Sequence, residues 1–332
     1  MDLLLTPDQL QLADSVRIYL AGTHGPDVLR RLDAGPNRDP AIWQGLVDMG
    51  LTGVCVPETH GGLGLGLVEA ALIAVECGRF CLAEPLVDTA FTAAPLLVAT
   101  LGNDDILTQI AAGTARIALT HPINPWIADA ETATHTLSVT PAKAAAHRPP
   151  AATHGQITSI DPLRNLSPPI DSLENPALLD HAALMTAAQL IGVAEAMLQQ
   201  ATDYAKIRTQ FGQPIGAFQA VKHQLASAAV ALEFARPPVW VAAQALQDRL
   251  PHAAIAISHA KIAAGDAATA IAETAIQVHG AMGYTYEVDL HFWMKRVWAL
   301  SGAWGDRAFH VKRIDDAVIG GTLPIGPEHT FA

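Results

Sequence analysis

Arg208-Thr209-Gln210-Phe211-Gly212-Gln213-Pro214-Ile215, with Phe218-Gln219 behind it, separates two long helical patterns, at about 173–209 and 216–248. Pro214 marks the break, because proline lacks the N–H that a continuing helix needs. Pro251 divides the second pattern from a third at about 252–280, and a fourth follows at about 289–317. Helices of this length joined by short turns predict an antiparallel bundle. Alanine-rich stretches such as Ala226 to Ala235 favour helix and let neighbours approach closely.

Upstream, Thr6, Pro7 and Gln9 form a helix start with a capping box, and Leu10, Leu12, Val16, Ile18 and Leu20 supply an apolar face. Further helices are expected at about 40–49, 67–81, 86–101 and 104–112. Between the first two lies Val54-Cys55-Val56-Pro57-Glu58-Thr59-His60-Gly61-Gly62-Leu63-Gly64-Leu65-Gly66. Its glycines fail the G-x-G-x-x-G spacing, since position 67 is Leu, so a structural turn is expected rather than a phosphate loop. From about 114 to 168 the texture changes. Ala115–Thr120 and Thr136–Thr140 read as short strands, while Pro, Thr, His and Ala crowd the rest, as in Pro141-Ala142-Lys143 through Pro149-Pro150. The expected organisation is a mainly α chain: an N-terminal helical domain over 1–113, a reduced β domain over 114–168 and a helical bundle over 169–332.

Half of the 332 residues are apolar and 16% are charged, enough for a sizeable core. The formal net charge of −12 argues against nucleic acid and anionic membrane as main partners, because both reward basic patches. Cys55, Cys77 and Cys81 are too few for a disulfide framework; Cys77 and Cys81, four apart, would share a helix face as buried thiols. The fourteen histidines show no metal-ligand spacing. Met1-Asp2-Leu3-Leu4-Leu5 lacks a basic region and a cleavage site, and apolar runs are interrupted before about 18 residues, so neither a signal peptide nor a membrane span is expected. The expected location is the cytoplasm.

Three motifs give the chain its resemblance to the acyl-CoA dehydrogenase family, whose members combine an N-terminal helical domain, a β domain and a four-helix bundle. They are Val56-Pro57-Glu58 through Gly61-Gly62-Leu63-Gly64, then Arg208–Ile215 with Phe218-Gln219, then Gln277-Val278-His279-Gly280-Ala281-Met282-Gly283-Tyr284. The first is weak alone; the other two are specific, and together the three span nearly the whole chain. The resemblance implies an FAD cofactor. It assigns Arg208 to the pyrophosphate, where a planar fork of donors suits a doubly anionic group, and Phe211 to packing against the cofactor. Gln219 and Gln277 would use their amides at the ADP part, and Gly280 would let backbone come close. In the family these positions serve the flavin held by a neighbouring chain. The alternative is a solvated Arg208 and a core Phe211.

The family's own-chain half of the flavin site has a Thr/Ser-bearing strand, a G-S-D turn and a W-I-T-N-like strand. None is found between 114 and 168; Trp126, in Asn124-Pro125-Trp126-Ile127-Ala128-Asp129, lacks the Thr and Asn. Catalysis in the family needs a carboxylate to take the α-proton while hydride leaves the β-carbon. By correspondence with the family, the late position for that base falls on Trp304, the early one on Ala182, and the adjacent acyl-CoA-binding Arg on Ala183. Glu287 matches an acid that many members carry without using it as base. Asp180 and Asp306 each lie two residues from a base position, and two residues rotate a helical side chain by about 200°. No catalytic residue is therefore assigned.

The resemblance is to the shorter, non-catalytic subunit of heteromeric α2β2 enzymes of actinobacterial steroid catabolism, in which a full-length acyl-CoA dehydrogenase subunit carries the base, binds most of the acyl-CoA and shares its FAD at the subunit interface. It implies α,β-dehydrogenation of a bulky acyl-CoA. Two alternatives stay open: a self-sufficient homo-oligomeric flavoenzyme with a displaced base, and a non-enzymatic scaffold or binding protein of the same fold.

Overall fold

The computed structural model describes residues 4–35, 38–100, 102–140, 143–147, 157–168, 172, 174–323 and 326. Met1–Leu3, Pro141-Ala142 and Pro149-Pro150, quoted above, lie outside them. Thr6 caps α1 (Pro7–Thr23), accepting from the Gln9 N–H, while the Gln9 side chain accepts from the Thr6 N–H. Helix α2 (Pro26–Ala34), which periodicity did not predict, starts at a Gly25-Pro26 step; α3 (Pro40–Asp48), capped by Asp39, follows. The Gly-rich run follows a single turn of 3₁₀ helix at Leu51–Gly53, holds a second at Glu58–His60, and passes through Gly61–Gly66 as irregular chain. Gly62 is pressed so closely on the Val56 backbone that a Cβ would collide with it.

Helix α4 (Leu67–Arg79) ends two residues earlier than expected. Cys81 therefore lies outside the helix, at φ +49°, and does not share a helix face with Cys77. Both thiols are buried, and burial pushes that of Cys81 up to about 12, so neither is a reactive thiolate. A π-helical segment, Val87–Ala93, runs into α5 (Ala94–Val98), and α6 (Asp104–Ala111) closes the N-terminal part.

The two expected strands are present as β1 (Ile117–Leu119) and β3 (His135–Thr140), paired in parallel with Ala118 opposite Thr136. Strand β4 (Lys143–His147), in the Ala-rich stretch that periodicity left unassigned, adds on antiparallel. β2 (Ile127–Ala128) and β5 (Leu166–Ser167) form a separate two-stranded ladder.

Helices α7 (Pro176–Ile207), α8 (Gln219–Gln247) and α9 (Ala253–His279) pack together, and α4 lies against α7. By length and hydropathy α7 could cross a membrane, contrary to the reading of interrupted apolar runs; 89% of its most apolar window is buried inside the protein, where it serves as the central core helix. The α4–α7 contact is a backbone approach: a Cβ on Gly192 would collide with the Val75 carbonyl, and one on Gly78 with that of Gln189. Gly192→Ala is expected to lower stability by about 1–3 kcal/mol, read as a shift in the urea midpoint, because neither helix can yield without moving the core.

The fourth long helical pattern is two helices, α10 (Leu290–Gly302) and α11 (Arg307–Ile319). Trp304 and Gly305 stand at φ +58° and +94°, which no helix tolerates. The turn is held from a distance. Buried Lys261 of α9 donates to the carbonyls of Leu300, Ser301 and Gly305 at 3.0, 3.1 and 3.3 Å, and burial brings its ammonium down to about 8. His310 sits within 3.0 Å of the Trp304 carbonyl, and Asp306 caps α11 by accepting from the Phe309 N–H.

Candidate functional site

The C-terminus of α7, the N-terminus of α8 and the C-terminus of α9 meet at one end of the bundle, and the five residues singled out in the sequence lie there. Tyr204 stacks on His279 at 4.3 Å between ring centroids, tying α7 to α9 next to Gly280. Arg208 ends α7; its carbonyl accepts from the Ile215 N–H at 2.8 Å, closing the hairpin of β6 (Thr209–Gln210) and β7 (Gln213–Pro214). Phe211, at the hairpin tip with φ +52°, is 92% exposed and meets the edge of Phe218, so it is not a core residue. Arg208, Gln219 and Gln277 are exposed, and Arg208 has no ion-pair partner among the described residues. Gly280, at φ +61°, has open space where a Cβ would point. An exposed aromatic ring, a guanidinium and two amides that have no side-chain partner among the described residues thus lie at this end of the bundle.

A second feature is a cavity of about 500 Å³ between the small β domain and the bundle. One wall comes from Ile123–Trp126 and Ile157–Asp161, the other from α7 and the α10–α11 turn, including Trp304. Its floor is charged. Arg296, buried on α10, pairs with buried Asp161 and donates to the Leu82 carbonyl at 3.1 Å. Arg164 pairs with Asp88 at 2.7 Å and with Asp129, which also pairs with Arg38; Arg38 reaches Glu84 at 4.0 Å. Burial pushes the Glu84 carboxyl upward. Sequence reading missed this cluster: its pairs are separated by up to 135 residues, and no local pattern announces them.

The acyl-CoA dehydrogenase N-terminal domain matches residues 6–116, and the C-terminal domain of that family matches residues 176–319. A Mycobacterium tuberculosis protein named acyl-CoA dehydrogenase IpdE2 is 33% identical over 303 residues, covering 87% of this chain and 91% of its own. The chain belongs to the acyl-CoA dehydrogenase family. Among solved structures, one described as the Tcur3481-Tcur3483 steroid ACAD G363A variant superposes with a TM-score of 0.82 at 25% identity, covering 95% of this chain and 98% of its own. The ChsE4-ChsE5 complex from Mycobacterium tuberculosis gives 0.81 at 22% identity, over 98% and 100%. The expected fold, with helical N-terminal part, small β domain and C-terminal helices, is the observed one.

In this member of the family, the residues that sequence correspondence sets at the base positions carry no group able to accept a proton. Ala182 and Ala183 are buried on α7, and Trp304 packs into the cavity wall. The nearby acids are engaged: Asp180 pairs with Arg313 at 2.6 Å, Asp306 caps α11, and the two carboxylates lining the cavity, Asp88 and Asp161, each face an arginine. Glu287 is exposed just beyond the 3₁₀ turn Gly280–Tyr284, away from the cavity wall.

Proposed function

We propose that this chain is the non-catalytic subunit of a heteromeric acyl-CoA dehydrogenase, assembled as α2β2 in the cytoplasm, and completes the FAD site of a full-length partner. The observation that carries this reading is that Asp180 is paired with Arg313 and Asp306 is spent as a helix cap, beside the positions that correspond to the family's base, while Arg208, Phe211, Gln219 and Gln277 stand exposed at the end of the bundle. In the reaction, a proton leaves the α-carbon and a hydride the β-carbon of the thioester, and FAD supplies the hydride acceptor. In this chain's own cavity the arginines are all neutralised by carboxylates, so none is available to a pyrophosphate. Arg208 is. Its fork would bind the partner flavin's pyrophosphate, Phe211 would pack on the cofactor, Gln219 and Gln277 would hydrogen-bond the ADP part, and Gly280 would let backbone approach. The steroid ACAD relatives support a bulky, steroid-derived acyl group as substrate.

The test is co-expression with a full-length homologue, followed by native mass and flavin analysis. One FAD per heterodimer is expected, and little in this chain alone. Arg208→Ala should weaken flavin retention by about 10- to 150-fold, as a charge-assisted hydrogen bond contributes about 1.5–3 kcal/mol. Stoichiometric FAD in a stable homo-oligomer of this chain would overturn the proposal.

A further inference from the structure

We propose that the outer face of α9, with the groove beside it, is where the full-length partner docks through a lysine or arginine, and that Glu273 selects that partner over a second copy of this chain. The inference rests on the subunit reading and extends it to how the partner is chosen. Asp266, Ala270, Glu273 and Gln277 follow one another along α9 at steps of four, three and four residues, and all are exposed. Between them Ala267, Ala268, Ile271, Ala272 and Ala275 are buried. That spacing makes one stripe along the helix. A partner whose flavin reaches Gln277 stands at the end of this stripe, and Glu273 is the next turn back.

Beside the stripe runs a groove of about 520 Å³, walled on its other side by the α10–α11 turn. Gly265 on α9 and Gly302 at the end of α10 both line it, and both have open space where a Cβ would point. A side chain entering between them meets no obstruction.

Charge names what enters. Three carboxylates and two cations line the groove. Arg307 pairs with Asp266 at 3.0 Å, and buried Lys261, spent on the carbonyls of the turn, has Asp306 as its counter-charge. Glu273 is left over, with no hydrogen bond or ion pair among the described residues. An incoming lysine or arginine would pair with it and cancel the excess. An apolar segment would instead cover that carboxylate unpaired, which is costly. A second copy presenting the same face would set one surplus carboxylate against another, on a chain of formal net charge −12. Like charges pressed together in a drying contact repel, so the groove admits a basic surface and refuses its own kind.

The test uses the heteromer obtained by co-expression with a full-length homologue. Glu273→Lys should weaken assembly at least about tenfold, read as the dissociation constant in sedimentation velocity, and Glu273→Gln about two- to fivefold, the loss of one exposed ion pair. Raising salt from about 0.05 to about 0.5 M should weaken the unaltered heteromer more than the Glu273→Gln one. Gly265→Phe, which fills the groove from a position with open space, should prevent assembly in a chain whose circular dichroism is unchanged. Glu273→Lys probes the same surface at an exposed, unpaired position, with no packing altered. A heteromer with one FAD that ignores Glu273→Lys would overturn this proposal and leave the subunit reading standing. So would self-association of this chain through the same face as tight as its binding to the partner. Absence of any heteromer would overturn both.

Discussion

Arg296→Met is expected to destabilise the protein by about 3–5 kcal/mol, the usual cost of leaving one member of a buried ion pair uncompensated. Arg296 and Asp161 are 1% and 2% exposed, so water cannot replace the lost partner. The guanidinium also serves the carbonyls of Leu82 and Cys81 just beyond α4, which the thioether would leave unmet. The pair therefore joins three parts of the chain: the α4 exit, the segment before β5 and α10. Adding Asp161→Asn removes the orphaned charge but keeps an acceptor for the Leu163 N–H, which Asp161 Oδ1 receives at 3.0 Å. The double variant should recover more than half of the loss. Urea midpoints of the two variants and the unaltered protein, measured in the same assembly, decide the matter. A single variant within about 0.5 kcal/mol of the unaltered protein would mean that the pair contributes nothing.

Stability should also fall steeply as pH drops from about 6.5 to about 4. His24 and His310 are fully buried, and burial, aided by Arg296 beside the first and Lys261 beside the second, lowers both to about 4. In the unfolded chain each titrates near 6.5, so between these values the unfolded state binds more protons and is favoured as pH falls. Above about 6.5 both are neutral in either state and the effect is absent; below about 4 it is complete. A shift of that size corresponds to roughly 3 kcal/mol per histidine. His24→Leu should remove roughly half of the pH dependence of the unfolding midpoint across this window, the share of His310 remaining, while leaving the response near pH 8 unchanged. A profile as steep as that of the unaltered protein would refute the assignment to His24.

The two histidines illustrate what local pattern can convey. His24 ends α1, a helix readable from Thr6, Gln9 and an apolar periodicity, but its burial comes from elements that return to it much later in the chain. The same contrast holds at the bundle. Pro214 and Pro251 divide the long helices because each lacks a donor, an effect that needs no distant partner. The break at Ala303–Asp306 has no such marker. It depends on Lys261, about 40 residues earlier, gathering carbonyls that would otherwise continue the helix. Lys143–His147 is similar: three alanines prefer helix locally, yet pairing with β3 makes them a strand.

The family, the order of helical, β and bundle segments, and the absence of carboxylates at positions 182 and 304 were legible in the chain before any folding was considered. These are properties of residue identity, period and short-range backbone chemistry. Folding had to be seen to learn that Phe211 is exposed, that Asp88, Asp161 and Asp180 are each held by an arginine, and that a cavity survives beside Trp304. Such pairings join residues up to 135 positions apart, and their energies depend on burial, which exists only once the layers have closed around them.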